Sequence, residues 1–139
     1  MLLSFAINWV ALIVAVIAAS FIGAIWFSRS IFGNAWLAAL GKTPEEIAAG
    51  GGSAAAPFVV SILSTAVMAF VLANGLQAMG VAGLGGGALG GLVAGLGYVA
   101  ASSAGNTAFE QSGWKLWAIT SGHHVVVLTV IGAILGAWQ

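Results

Sequence analysis

Residues 2–27 read LLSFAINWVALIVAVIAASFIGAIWF, an unbroken apolar run that ends before the first charged side chain, Arg29. A helix crossing a bilayer needs about 20 mainly apolar residues at a rise of 1.5 Å each, and this stretch supplies them. It lacks a positively charged start and is too long for the apolar core of a cleaved leader, so it reads as a retained span. Three further stretches qualify, at about 57–79, 85–107 and 114–138. The expected fold class is therefore all-α: a polytopic transmembrane bundle of four helices. Residues 1–139 form a single transmembrane domain, with a short interfacial helical segment inside the connection 29–56.

The composition agrees. Charged residues make up 4% of the 139-residue chain and hydrophobic ones 61%, with a mean hydropathy of +1.13. A soluble domain carries roughly 25% charge, and a chain this short leaves too much of its surface in water to hide that much apolar area. The formal net charge is zero. Without a basic surplus the electrostatic drive for nucleic-acid binding is missing. There is no cysteine, which removes disulfides, thiolate metal sites and a cysteine nucleophile.

Where the charges fall sets an orientation. Arg29, Lys42, Glu45 and Glu46 lie after span one, and Glu110 and Lys115 lie between spans three and four. The other two ends of the bundle carry none. The positive-inside rule then puts connections one and three in the cytoplasm and both termini on the non-cytoplasmic side of the cell (inner) membrane. Tryptophans mark the same levels: Trp26, Trp36, Trp114 and Trp117 beside the charged connections, Trp9 and Trp138 opposite, as aromatic belts at two interfaces.

Within the long connection, Thr43-Pro44-Glu45-Glu46 is a helix start. Thr43 can cap, Pro44 suits the first helical position, and Glu46 completes a capping box. Gly41 ends a preceding short helix that sets Phe32, Trp36 and Leu40 on one face, suited to lying on headgroups. Gly50-Gly51-Gly52-Ser53 reads as a flexible hinge.

Spans three and four are rich in small residues. Gly83, Gly87, Gly91 and Gly95 recur every four residues, with Gly86, Gly90 and Ala94 forming a second ridge. Gly122, Gly132 and Gly136 stripe span four. Helices in lipid associate through close backbone approach rather than a hydrophobic drive, so two glycine faces imply two close neighbours, one of them possible as a second copy. Polar groups at membrane depth each need a partner. The candidates are Asn8, Ser61, Thr65, Ser102, Asn106, Thr120, His123 and His124. Adjacent helical residues point about 100° apart, so the two histidines cannot share one site. The plainest reading is a neutral His hydrogen-bonded to Ser102, Asn106 or Thr107, and a proton-relay or ligand contact is the sharper one. Two histidines without an inward carboxylate make a poor metal site, and neither a metal nor a cofactor is expected. No nucleophile elbow, phosphate loop or HExxH motif is present, so catalysis is not expected.

The segments Asn8-Trp9, Gly23-Ala24-Ile25-Trp26-Phe27-Ser28 and Phe32-Gly33-Asn34-Ala35-Trp36 resemble the bacterial domain of unknown function family 1761. The second half is similar too, through Phe109-Glu110, Lys115-Leu116, Gly122-His123-His124 and Gly132-Ala133-Ile134-Leu135-Gly136. Order and spacing match over nearly the whole chain. Arg29 stands where many members carry Pro. The resemblance implies a small four-span membrane protein and brings no activity or catalytic residue with it. Two function classes follow. The first is a non-catalytic interaction module or accessory subunit of a membrane assembly, its glycine-faced helices packing on partner helices in a homo-oligomer or larger complex. The second is a homo-oligomeric channel or transporter with a path lined by Ser61, Thr65, Asn106, Thr120 and His124.

Overall fold

The computed structural model describes residues 3–50 and 55–139. Leu2, at the expected start of span one, and Gly51, Gly52 and Ser53 of the expected hinge lie outside the described residues. In chain order the helices are α1 (Trp9–Trp26), α2 (Gly33–Leu40), α3 (Pro44–Ala49), α4 (Ala56–Ala78) and α5 (Leu84–Ala94). A π-helical turn over Gly95–Ala100 joins α5 to α6 (Ala101–Glu110), and α7 (Trp114–Ala137) follows. Among the described residues there is no strand. The all-α expectation holds: α1, α4, the continuous unit Leu84–Glu110 and α7 are each long and apolar enough to cross a membrane.

Span one begins at Trp9, later in the chain than the apolar run suggests. Asn8 is the reason. Its Oδ1 accepts from the Ala11 N–H at 3.0 Å, satisfying one of the donors that a helix start leaves open. The segment before it folds across the end of α4 instead of extending the helix. The Ser4 N–H donates to Asn74 Oδ1 at 2.6 Å, and Gln77 Nε2 donates to the Ala6 carbonyl at 3.2 Å. Phe5 and Trp9 bracket Phe70 with ring centroids 5.5 and 6.0 Å away.

The short helices follow their local signals. Thr43 Oγ1 accepts from the Glu46 N–H at 3.1 Å, with Pro44 in the first turn of α3. Gly41, at φ +69°, closes α2 in the left-handed conformation that a side chain resists.

Helix α7 is the hub, packing against α1, α4, α5 and the π turn. Leu76, Val127 and Ile131 are fully buried where α4 meets α7. Small residues of α1 (Ala11, Ala15, Ala19) and Ala69 of α4 bring their helices in closely. Between α5 and α7 the approach is backbone to backbone. The Gly83 N–H donates to the Gly136 carbonyl at 2.8 Å. A Cβ on Gly87 or Gly91 would strike the carbonyl oxygen of Gly132 or Leu128, respectively. The second ridge is also occupied within the chain: a Cβ on Gly90 would come 2.5 Å from Leu76 Cδ2, and one on Gly86 3.1 Å from Val81 Cγ1. Both glycine faces thus find their neighbours inside one chain, and the glycines give no separate reason for a second copy.

The π turn corrects the expected polar register of span three. In an uninterrupted α-helix, Ser102 lies eleven residues beyond Gly91, roughly 20° from its direction. Ser102 and Asn106 would then continue the glycine stripe toward α7. A π turn takes up one extra residue and rotates everything after it by about 100°. Ser103 and Thr107 come to the inner face in their place. Ser103 Oγ lies 2.9 Å from Ser121 Oγ and Thr107 is buried, while Ser102 and Asn106 are exposed.

Helix α4 is held along half its length. Ala69, Leu72, Ala73, Asn74 and Leu76 are buried, whereas residues 55–64 are exposed without exception.

Candidate functional site

Chemistry-bearing side chains gather at the charged end of the bundle, and a tight backbone turn puts them there. After α1 the chain reverses: the Phe32 N–H donates to the Trp26 carbonyl at 3.0 Å and the Gly33 N–H to the Ser28 carbonyl at 2.8 Å. A Cβ on Gly33 would lie 2.5 Å from the Phe27 oxygen, so only glycine fits between Phe32 and α2. The turn lays Phe32 against Trp26, with centroids 4.6 Å apart, and Trp36 edge-on to Phe27 at 5.3 Å. This is what the Phe-Gly-x-x-Trp spacing does: it folds an aromatic pair back onto the end of α1.

Trp26 and Trp117 are bundle residues as much as interfacial ones. Trp26 Nε1 donates to the Ile119 carbonyl at 3.0 Å, and a Cβ on Gly122 would come 3.3 Å from its ring. Trp117 Nε1 donates to the Ala100 carbonyl at 3.1 Å, at the end of the π turn, where Ser103 Oγ also donates. Trp114 stands edge-on to Trp117 at 5.7 Å and is exposed. At the uncharged end, Trp9 Nε1 donates to the Phe5 carbonyl at 3.1 Å, Trp138 is half exposed, and its carbonyl accepts from Asn8 Nδ2 at 3.5 Å.

The histidines do not make the bonds expected across the bundle. His124 Nδ1 lies 2.8 Å from the Thr120 carbonyl on its own helix. A carbonyl only accepts, so Nδ1 carries the proton and Nε2 is left as an acceptor in the neutral ring. Thr120 in turn bonds the Leu116 carbonyl at 2.9 Å. His123 turns toward α1, its ring 5.0 Å from Phe27, 6.2 Å from Trp26 and 5.2 Å from His124. Its Nε2 is buried without a hydrogen-bond partner, beside Gly23, where a Cβ would come within 3.3 Å. Among the described residues no three of His, Asp and Glu converge as metal ligands.

Ser61 and Thr65 sit apart from this cluster on α4, where Thr65 Oγ1 donates to the Ser61 carbonyl at 2.8 Å. Asn8 is at the opposite end of the bundle. The structure therefore links Thr120, His123 and His124 and sets Asn106 beside Thr120 along one cleft, while Asn8, Ser61 and Thr65 lie elsewhere. Ser103, Ser121 and Thr107 belong with the first group; their signal is the π-shifted register, which the sequence does not spell.

Between α2, α6 and the start of α7 lies an open cleft of about 310 Å³, lined by Trp36, Leu40, Ser103, Asn106, Thr107, Glu110, Ser112, Leu116, Trp117 and Thr120.

The segments around Trp26–Trp36 and Gly122–His124, distant in sequence, thus meet in space through Trp26, Phe27 and His123. A family model described as a protein of unknown function (DUF1761) matches residues 10–136, taking in both segments. No curated protein and no solved structure matches significantly. With the match running over nearly its whole length, the chain belongs to the DUF1761 family.

Proposed function

We propose that this protein is a non-catalytic interaction module of a bacterial inner-membrane assembly, and that it docks through the free half of α4. The observation that carries this reading is the state of Ser61 and Ser64. Both are exposed, and among the described residues neither hydroxyl finds a hydrogen-bond partner. In hydrocarbon an unpaired hydroxyl is costly, and a neighbouring helix is the usual source of a partner. Val60, Ser64, Val67 and Val71 follow the alternating four- and three-residue spacing of a helix-pairing seam, and Val60, Val67 and Val71 are each more than half exposed. The occupant is a transmembrane helix of another subunit in the same assembly.

The charged connections support an accompanying topology with the charged end in the cytoplasm and both termini outside. A C-terminal reporter active on one side of the membrane tests this; cytoplasmic activity would reverse it.

The chain has no cysteine, so single cysteines report cleanly. Placed one at a time over residues 58–71 of α4, alkylated with a thiol-reactive benzophenone and irradiated in native membranes, they are expected to give adducts peaking at 60, 64, 67 and 71. Adduct mass tells a second copy from a different subunit. Uniform or absent cross-linking along α4, with Val14→Cys on the outer face of α1 as the background control, would refute the docking role.

A further inference from the structure

We infer that the cleft between α2, α6 and α7 is a binding site for the primary ammonium group of an amphiphile seated at the membrane interface. This cleft lies apart from the exposed half of α4 and does not depend on its docking role. Among the described residues, four polar side chains line the cleft without intramolecular partners: the Asn106 amide, the Thr107 and Ser112 hydroxyls and the Glu110 carboxylate. Thr107 is only 8% exposed. Its hydroxyl reaches the cleft and can both donate and accept there. Among the described residues Glu110 is the only charged one lining the cleft, and no cation there pairs with its carboxylate.

The rest of the lining selects the kind of cation. Trp36 and Trp117 present indole rings, the best cation–π surfaces among side chains. Leu40, on the amphipathic helix α2, gives the wall an apolar side that suits a hydrocarbon chain. The Glu110 carboxylate only accepts, and the amide oxygen and the hydroxyl oxygens can accept beside it, which suits the N–H donors that a primary ammonium has and a quaternary one lacks. A volume of about 310 Å³ falls at the lower end of small-molecule sites, enough for a headgroup with its chain left in the lipid. The ammonium can come from two sources, an aminophospholipid headgroup or a free long-chain amine.

Native mass spectrometry of the full chain in mild detergent separates them. The probes are phosphatidylethanolamine, phosphatidylcholine and phosphatidylglycerol of identical acyl chains at equal concentration, and dodecylamine in a separate titration. The expected result is retention of the ethanolamine lipid over the other two by about tenfold, the worth of one charge-assisted hydrogen bond. Glu110→Gln should abolish that preference. Glu110 is exposed, so the variant keeps its fold, and Thr107→Val should weaken the preference in the same direction. Glu110-dependent saturation by dodecylamine without lipid selectivity would assign the site to a free amine. Equal retention of all three lipids with no saturable amine binding would overturn the inference. So would a preference that survives Glu110→Gln.

Discussion

Replacing Gly87 with Ala tests the claim that α5 and α7 are held by bare backbone contact. The added Cβ would fall inside the contact radius of the Gly132 carbonyl oxygen, 2.8 Å from that carbonyl's carbon and 2.9 Å from Gly136 Cα. Carbon atoms rest comfortably at about 3.5–4.0 Å, so the two helices must part locally by about 1 Å. Every atom in the way is backbone, so no rotamer change can relieve the overlap. Overpacking of this kind costs about 1–3 kcal/mol. Separation also stretches the Gly83 N–H to Gly136 carbonyl bond, worth roughly another 1 kcal/mol. The expected loss is about 2–4 kcal/mol, a factor of at least thirty in the folded-to-unfolded ratio. Gly85→Ala and Gly105→Ala are the controls. Nothing lies within 4 Å of a Cβ at either position, and alanine favours helix over glycine by up to about 1 kcal/mol. Reversible denaturation in mixed micelles, followed by helical circular dichroism, compares the three. If Gly87→Ala unfolds at the same denaturant fraction as Gly85→Ala, the glycine ridge does not hold the helices together and the packing argument fails.

Other perturbations probe the remaining devices. Deleting one residue within the π turn, such as Leu96, restores an α register while keeping Ser103 and Thr107 inward. It should melt well above an equivalent deletion at Val93, which would swing the later glycine contacts off α7; equal melting would deny the turn its register role. Gly33→Ala brings a Cβ to within 2.5–2.8 Å of the Phe27 and Ser28 backbone, so α2 should detach from α1 and the environment of Trp36 change, seen as a shift in tryptophan emission. Asn74→Leu removes the acceptor for the Ser4 N–H, at a cost of about 1 kcal/mol; amide exchange near the N-terminus should rise while exchange in α7 stays slow. Unchanged exchange near Ser4 would mean that Asn74 does not anchor it.

The parts of this fold that were legible in the sequence are those decided locally. The apolar runs between Arg29, Glu45, Glu110 and Lys115 mark four spans because no soluble core of this size could absorb them. Thr43-Pro44-Glu45-Glu46 marks α3 because a cap is made by residues three apart. What stayed hidden depends on neighbours. Trp26 and Trp117 look in sequence like the exposed Trp114 and Trp138, yet their indole N–H groups bond carbonyls of other helical segments. Ser102 and Asn106 have the spacing of an inner face, and only the π turn over Gly95–Ala100 exchanges them for Ser103 and Thr107. Asn74 and Gln77 give no sign that they hold Ser4 and Ala6. His124 bonds within its own helix, its Nδ1 2.8 Å from the Thr120 carbonyl, a contact that no spacing across the bundle announces.

The hub position of α7 bears on how the protein is made. A ribosome delivers α1, α4 and the glycine-ridged span before α7 exists, yet α7 supplies the surface on which all three converge. Until it enters the bilayer, the Gly87 and Gly91 grooves are empty and Leu76 has no Val127 or Ile131 to bury against. Assembly is therefore deferred until α7 is present, and a chain interrupted before Trp114 leaves three loosely associated helices.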